Sequence, residues 1–188
     1  MRNLQLILGG SITGQRRRRP SRRKRLILVL MAVGLAALGA AALLSKRPLL
    51  IWNASASAPR GLYRTVPLMV PRHGDWVLAW LPDYARQLAA ERGYLPADIP
   101  VIKPVAAMAG DQVCAAGNTI RLVSGATLHR LKFDSQGRPL PAWQGCRTMT
   151  TDEVFLANPA AADSFDSRYF GPVQRNSLIG RVVPVWLR

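Results

Sequence analysis

A charge-free stretch of 20 residues, from position 26 to position 45, limits the structure of this chain more than any other feature. An α-helix rises 1.5 Å per residue, so a stretch of this length spans about 30 Å, the thickness of the hydrocarbon core of a membrane. The alternative is a cleaved secretory signal peptide, whose apolar core is usually only about 7–15 residues long. The length therefore predicts an uncleaved transmembrane anchor over residues 26–45, behind a tail formed by residues 1–25.

The distribution of charge predicts the orientation of this anchor. Eleven of the 26 Lys and Arg residues lie within positions 1–47, and all ten acidic residues follow. Eight basic residues form a block at positions 16–25, whereas Lys46 and Arg47 alone follow the apolar stretch directly. The positive-inside rule then places the tail in the cytoplasm and residues 46–188 outside the membrane. Nucleic-acid binding by the basic tail is the alternative, but we expect a topology signal instead, because the block directly precedes the apolar stretch.

The two cysteines, Cys114 and Cys146, both lie in the exported part. In an oxidising compartment, a pair of cysteines with no third partner suggests one disulfide, with two buried free thiols as the alternative. The two histidines, His73 and His129, show no spacing typical of metal ligands. We therefore expect one disulfide, no metal site and no cofactor.

Short apolar or alternating stretches separated by Gly, Pro and Asp predict a mainly β fold built from antiparallel sheets. The predicted strands cover residues 76–80, 101–107, 119–123, 127–133, 154–157 and 178–186. Two Gly-Asp steps, at 74–75 and 110–111, predict turns that lead into strands. Residues 83–92 have a helical pattern and predict a short helix between strands, and residues 134–147 predict a long loop.

A segment rich in small residues follows the predicted anchor, with the sequence Asn-Ala-Ser-Ala-Ser-Ala-Pro-Arg-Gly-Leu-Tyr at positions 53–63. Small side chains allow a substrate backbone to lie close, and Pro59 with Gly61 favours a turn. If the segment is extended, Ser55 and Ser57 point the same way, so that one can attack a carbonyl and the other can donate to the oxyanion. The alternatives are a flexible linker and a cleavage site for another peptidase.

A serine nucleophile requires a base, and the sequence suggests no His-Asp pair for this role. Lys103 and Lys132 are the only lysines in positions 48–188, and Lys103 lies within the apolar stretch Ile-Pro-Val-Ile-Lys-Pro-Val-Ala-Ala. Loss of hydration disfavours the charged form of an amine and lowers its pKa, which makes Lys103 a candidate general base. The alternative is a lysine whose amine reaches solvent from a strand face.

The third candidate segment is Ser-Phe-Asp-Ser-Arg-Tyr-Phe-Gly at positions 164–171. On an extended segment, Asp166 and Arg168 share one side and can form an ion pair, while Ser164 can orient an amine. The alternative is an ion pair on the surface, which contributes less than about 1 kcal/mol.

Together the three segments resemble the bacterial type I signal peptidases, and most of all the TraF branch, which processes pilin precursors for conjugative transfer. The resemblance runs in order over nearly all of residues 26–188. It implies that Ser57 is the nucleophile, that Ser55 contributes to the oxyanion hole and that Lys103 is the general base. It also implies that Ser164 positions the lysine and that Asp166 and Arg168 brace the site.

The resemblance implies a signal-peptidase-like core, anchored in the bacterial inner membrane, with its catalytic domain in the periplasm. The expected activity is endoproteolytic cleavage of a membrane-inserted precursor, with a linear or a cyclic product. Components of a type IV secretion or mating apparatus are expected partners, and nucleic acid is not. The alternative from another class is a non-enzymatic periplasmic component of such an apparatus.

Overall fold

The computed structural model describes residues 22–44, 48–68 and 70–188. The chain divides into two units, Met1–Lys46 and Arg47–Arg188. In the first unit, helix α1 (Arg22–Leu44) covers all but the last residue of the predicted anchor. Most of the predicted tail, residues 1–21, lies outside the described residues.

None of the helices in the described part of the chain combines the length and the apolar character that crossing a membrane requires.

The second unit is mainly β, as predicted, and in the described residues all its strand pairs are antiparallel. The larger sheet has seven strands in the order β1-β2-β11-β3-β4-β9-β10, and the smaller sheet has four in the order β7-β6-β5-β8. The strands of the larger sheet are β1 (Leu50–Asn53), β2 (Gly61–Val66), β3 (Trp76–Ala79), β4 (Val101–Ala107), β9 (Glu153–Leu156), β10 (Val173–Gln174) and β11 (Leu178–Leu187). Those of the smaller sheet are β5 (Gln112–Ala116), β6 (Thr119–Leu122), β7 (Thr127–His129) and β8 (Gly145–Thr148).

Three shorter helical segments complete this unit. Helix α2 (Asp83–Glu91) follows β3 and confirms the predicted helix between strands, one residue shorter than expected. A single helical turn, α3 (Ser167–Phe170), precedes β10, and a 3-10 turn (Arg175–Ser177) leads into β11. The two predicted Gly-Asp turns are also confirmed, because Gly74 and Gly110 have positive φ angles of 79° and 88° and lie directly before β3 and β5.

Several sequence-based boundaries are wrong. The predicted strand 127–133 ends at His129, because Arg130 turns inward and donates hydrogen bonds to three backbone carbonyls. The predicted loop 134–147 ends in β8, which pairs with β5. No strand was predicted at residues 50–53, which form β1 and pair with β2.

The disulfide between Cys114 and Cys146 is confirmed, and the alternative of two free thiols is wrong. The two residues are directly opposite each other on β5 and β8. Since all four residues of β8 are exposed, this strand has little apolar burial to hold it. The disulfide therefore fixes the edge of the smaller sheet.

The core beside the site consists of residues from β3, β4, β9 and the segment around α3. Val77, Val105, Leu156 and Tyr169 belong to this cluster, and each is at most 2% exposed. By the two-residue repeat of a strand, Lys103 shares a face of β4 with Val101 and Val105. The larger sheet therefore places a lysine among apolar side chains.

Candidate active site

The loop between β1 and β2 carries both candidate serines, and the buried side chain of Asn53 organises it. Asn53 Oδ1 accepts hydrogen bonds from the backbone N–H of Ser55 (3.1 Å) and from its hydroxyl (2.9 Å). Asn53 Nδ2 donates to the carbonyls of Ala58 and Pro59, each at 3.0 Å, and the hydroxyl of Tyr63 also donates to Pro59. A single amide thus holds both ends of the loop.

The two serine hydroxyls lie side by side, with 3.2 Å between Ser55 Oγ and Ser57 Oγ. The segment is a turn and does not meet the condition of an extended chain, yet the two hydroxyls still lie side by side. Ser55 has one hydroxyl proton and donates it to Asn53 Oδ1, so the proton between the two serines comes from Ser57. Ser57 therefore donates to Ser55 in this structure.

Lys103 is 4% exposed, so the alternative of an amine that reaches solvent is wrong. Its Nζ donates a hydrogen bond to Ser164 Oγ at 2.5 Å. Burial lowers the pKa of Lys103 to about 8, although the negative charge of Asp166 acts in the opposite direction. A larger share of this amine is therefore neutral near pH 7 than in an ordinary lysine.

Asp166 and Arg168 form a buried ion pair, so the alternative of a surface pair is wrong. The carboxylate accepts from Arg168 Nε at 2.9 Å and from Nη2 at 2.8 Å, and the two side chains are 0% and 2% exposed. The pair forms without the extended segment considered from sequence, because Asp166 is the N-cap of α3 and accepts from the backbone N–H of Arg168. The guanidinium further donates to the carbonyls of Ala161 and Ala162 and so holds the loop before α3.

Asn158, which the sequence motifs did not point to, connects the serine loop with this ion pair. Its Nδ2 donates to the carbonyl of Ser57 at 2.7 Å, and its backbone N–H donates to Asp166 Oδ2 at 3.2 Å. Asn53 was missed as well. Both asparagines accept from the backbone N–H two residues later, a local pattern for which Asn is a known signal. The contact of Asn158 with Ser57, 101 residues away, has no such signal.

The structure thus arranges the candidate residues in two groups, and hydrogen bonds connect the members of each group. One joins Lys103 to Ser164, and the other joins Ser55 and Ser57 through Asn158 to Asp166. In the described residues, no hydrogen bond joins Lys103 Nζ to Ser57 Oγ. Across the same residues, no group of three or more His, Cys, Asp or Glu side chains is placed to hold a metal ion. The arrangement contains serine hydroxyls and a buried amine, the kinds of group that can serve as a nucleophile and as a base.

Comparison with known proteins gives the family of the chain. A family model described as signal peptidase, peptidase S26, matches residues 22–187. This chain belongs to the signal peptidase family. The resemblance inferred from the three sequence segments is therefore confirmed, and membership of a peptidase family supports a serine peptidase as the coarse class of activity.

This signal peptidase family member is also similar to proteins of conjugative transfer. It is 36% identical over 143 residues to the plasmid transfer protein TraF of Escherichia coli, covering 71% of this chain and 80% of the relative. It is 34% identical over 181 residues to the conjugal transfer protein TraF of Agrobacterium tumefaciens (strain 15955), covering 88% and 96%. A signal peptidase I structure from Enterococcus faecalis aligns with a TM-score of 0.37 at 18% identity, covering 62% of this chain and 99% of that one.

Proposed function

We propose that the chain is a serine endopeptidase in which Ser57 is the nucleophile and Lys103 the general base. The observation that carries this proposal is the environment of Lys103, a buried amine whose pKa is lowered to about 8 and which donates to Ser164. Lys132, the other lysine after position 47, is exposed. Lys103 is therefore the lysine whose surroundings favour the neutral, proton-accepting form.

In the proposed first step, Ser57 Oγ attacks the scissile carbonyl carbon and its proton passes to Lys103 Nζ. Ser164 Oγ accepts a hydrogen bond from one N–H of the Lys103 amine. The lone pair of the neutral nitrogen therefore points away from Ser164. The hydroxyl proton of Ser57 must first turn from Ser55 towards Lys103. Collapse of the tetrahedral intermediate breaks the peptide bond, and the leaving amine takes the proton from the Lys103 ammonium.

Ser55 is the proposed side-chain donor to the oxyanion, together with the backbone N–H of Ser57. Its hydroxyl already lies 3.2 Å from Ser57 Oγ and has to turn away from Asn53 to reach the developing charge. Loss of one such donor costs about 2.7–4 kcal/mol of transition-state stabilisation. Ser55→Ala should therefore leave measurable activity, roughly 100- to 1,000-fold below that of the wild type.

We propose a bracing role for Asp166 and Arg168. Both oxygens of Asp166 accept hydrogen bonds from Arg168, and one also accepts from Asn158, so no oxygen of this buried carboxylate is left without a partner. In the second half of the reaction, water attacks the acyl carbonyl carbon and gives a proton to Lys103; the bond between this carbon and Ser57 Oγ then breaks, and Ser57 Oγ takes the proton back from the Lys103 ammonium. Attack by the amino terminus of the substrate in place of water would give a cyclic product.

The proposed substrate is a membrane-inserted precursor, and we propose the pilin precursor of a conjugative system. The relatives named for plasmid and conjugal transfer support this substrate class. The proposed location is the periplasmic side of the bacterial inner membrane, with the N-terminus in the cytoplasm, supported by the basic block at 16–25 before the apolar stretch. Components of a type IV secretion or mating apparatus are the proposed partners.

The test is mass spectrometry of the intact pilin precursor after co-expression with the full-length chain. We expect cleavage with the wild type and none with Ser57→Ala or Lys103→Arg, because a guanidinium stays protonated at any working pH. Lys132→Arg is the matched control and should cleave normally. Cleavage by Ser57→Ala or by Lys103→Arg would contradict the proposed pair. A precursor that is bound but not cut by the wild type would favour the non-enzymatic alternative.

A further inference from the structure

The side chain of Asn158 joins the serine loop to the buried segment that carries Asp166 and Arg168. The proposed reaction requires these two parts to keep a fixed position relative to each other. It lies two residues beyond β9, is 7% exposed, and donates from Nδ2 to the carbonyl oxygen of Ser57 at 2.7 Å. The serine loop lies between β1 and β2 and is exposed at Ser55 and Ala56. This contact ties the exposed loop to the buried part of the unit.

The orientation of the Asn158 amide is fixed from its other side. Oδ1 accepts from the backbone N–H of Ala160 at 3.0 Å, so Nδ2 is the end that faces Ser57. The backbone of Asn158 is held as well, because its N–H donates to Asp166 and its carbonyl accepts from Arg168 at 3.3 Å. A flip of this amide would break both side-chain hydrogen bonds, because an oxygen cannot donate to the Ser57 carbonyl and an NH2 group cannot accept from the Ala160 N–H.

The same ion pair, Asp166 with Arg168, also acts on the proposed base, Lys103. Asp166 and Arg168 are the two charges that act most strongly on the pKa of Lys103, and Ser164, which accepts from Lys103 Nζ, also has its carbonyl oxygen within 3.4 Å of Arg168 Nη2. Asn158 therefore connects the backbone of the nucleophile to the buried unit that holds the amine.

We propose that Asn158 is a positioning residue that holds Ser57 within reach of Lys103 without touching the substrate. The inference rests on the proposed function, since it assumes that Ser57 attacks and Lys103 takes the proton. Without the amide donor, Ser57 keeps only its loop contacts, and its distance from Lys103 is no longer fixed. A displacement of about 1 Å at a reacting group can cost roughly 100-fold in rate.

The experiment uses the full-length protein in detergent micelles with the pilin precursor as the probe. Asn158→Ala removes the donor, and Asn158→Asp keeps the shape and the Oδ1 acceptor but places an oxygen against the carbonyl of Ser57. We expect the single-turnover rate of both variants to fall roughly 10- to 100-fold with KM within about twofold of the wild type. The midpoint of the pH–rate profile of Asn158→Ala should stay that of the wild type, because the burial and charges around Lys103 remain.

Ser167→Ala is the matched control. Ser167 is fully buried and its hydroxyl accepts from the backbone N–H of Leu156, yet among the residues that the structure describes its side chain makes no hydrogen bond with the serine loop. This variant should lose thermal stability and keep its single-turnover rate at a temperature where it is folded. A comparable loss of rate in Ser167→Ala would show that general damage to the buried unit explains the effect, and would overturn the positioning role.

Failure of this inference is distinguishable from failure of the proposed function. If Ser57→Ala and Lys103→Arg are inactive while Asn158→Asp cleaves at the wild-type rate, the positioning role is wrong and the Ser57–Lys103 pair stands. If Ser57→Ala cleaves, the proposed function fails and the inference fails with it. Should Asn158→Ala not fold, Asn158→Asp decides alone, because its side chain has the same size and shape.

Discussion

Replacing Lys103 with methionine should make the protein more stable at neutral pH and abolish its activity. Methionine fills much of the same apolar space and has no charge to bury. The folded protein lowers the pKa of Lys103 from 10.5 to about 8, a difference that corresponds to about 3 kcal/mol. Below pH 8 this free energy is a cost of folding, because the ammonium is better solvated in the unfolded chain.

The sign of the effect fixes its pH dependence. The cost of burying the Lys103 ammonium is fully present below about pH 8 and disappears as the pH rises through 10.5, above which the amine is neutral in both states. Ser164 loses its hydrogen bond with Lys103 in the variant, and this loss reduces the gain in the free energy of unfolding by about 1 kcal/mol. The expected gain in the free energy of unfolding is therefore about 2 kcal/mol at pH 7; it should reach zero near pH 10 and become a loss of about 1 kcal/mol at higher pH, where only the missing hydrogen bond counts.

The activity of the wild type should follow the same ionisation. With a pKa of about 8, roughly one Lys103 in ten is neutral at pH 7, against fewer than about one in 1,000 for an ordinary lysine. The single-turnover rate should therefore rise about tenfold from pH 7 to a plateau above pH 9.

The assay combines denaturant unfolding of Lys103→Met between pH 6 and pH 10 with the pH–rate profile of the wild type on the pilin precursor. A rate midpoint near 10.5, or a variant destabilised equally at every pH, would refute the reasoning from burial. Retained activity in Lys103→Met would remove the lysine from the mechanism altogether.

Three further predictions concern the rest of the molecule. Replacing Cys114 and Cys146 with serine should lower the free energy of unfolding by about 3–4 kcal/mol, measured by denaturant unfolding against the disulfide-bonded wild type; an unchanged value would contradict this. Burial would raise the pKa of Asp134, but hydrogen bonds from Tyr94 and Arg138 outweigh it and hold this pKa well below its usual range. The resulting stability is present above about pH 4 and is lost as the pH falls. The unfolding temperature of Asp134→Asn should therefore fall less steeply below about pH 4 than that of the wild type. An unchanged pH dependence would argue against the hydrogen-bond network around Asp134. A periplasmic reporter fused after Arg188 should be active, whereas activity of a cytoplasmic reporter at the same position would reverse the proposed topology.

The strands that sequence predicted well are those in which apolar residues are bounded by turn formers. Strand β4 matches the prediction at both ends, and β3 differs by one residue. Strand β1 was missed because a short apolar segment directly after a predicted anchor has no pattern that distinguishes a strand from a chain segment lying at the membrane interface. Strand β8 was missed because its residues are exposed, and its place is set by pairing with β5 and by the disulfide.

The candidate site was predictable where its residues lie close together in sequence. Ser55 and Ser57 meet because they are two residues apart, and Asp166 meets Arg168 for the same reason. The helical turn at Arg168 was not predicted. An Asp followed two residues later by an Arg fits both a carboxylate that caps a helix and an ion pair on an extended segment, so the sequence does not distinguish them. Contacts between distant segments, such as that of Asn158 with Ser57, depend on how the sheets place the loops.

The central claim, that Ser57 forms the covalent intermediate, is tested most directly by trapping the acyl-enzyme. The full-length protein is mixed with the pilin precursor and quenched with acid, which protonates Lys103 and stops deacylation, and the digested protein is analysed by mass spectrometry. We predict that a fragment of the precursor is attached to the peptide containing Ser57, and that the adduct is absent in Ser57→Ala. An adduct on any other residue, or product formation by Ser57→Ala, would contradict it.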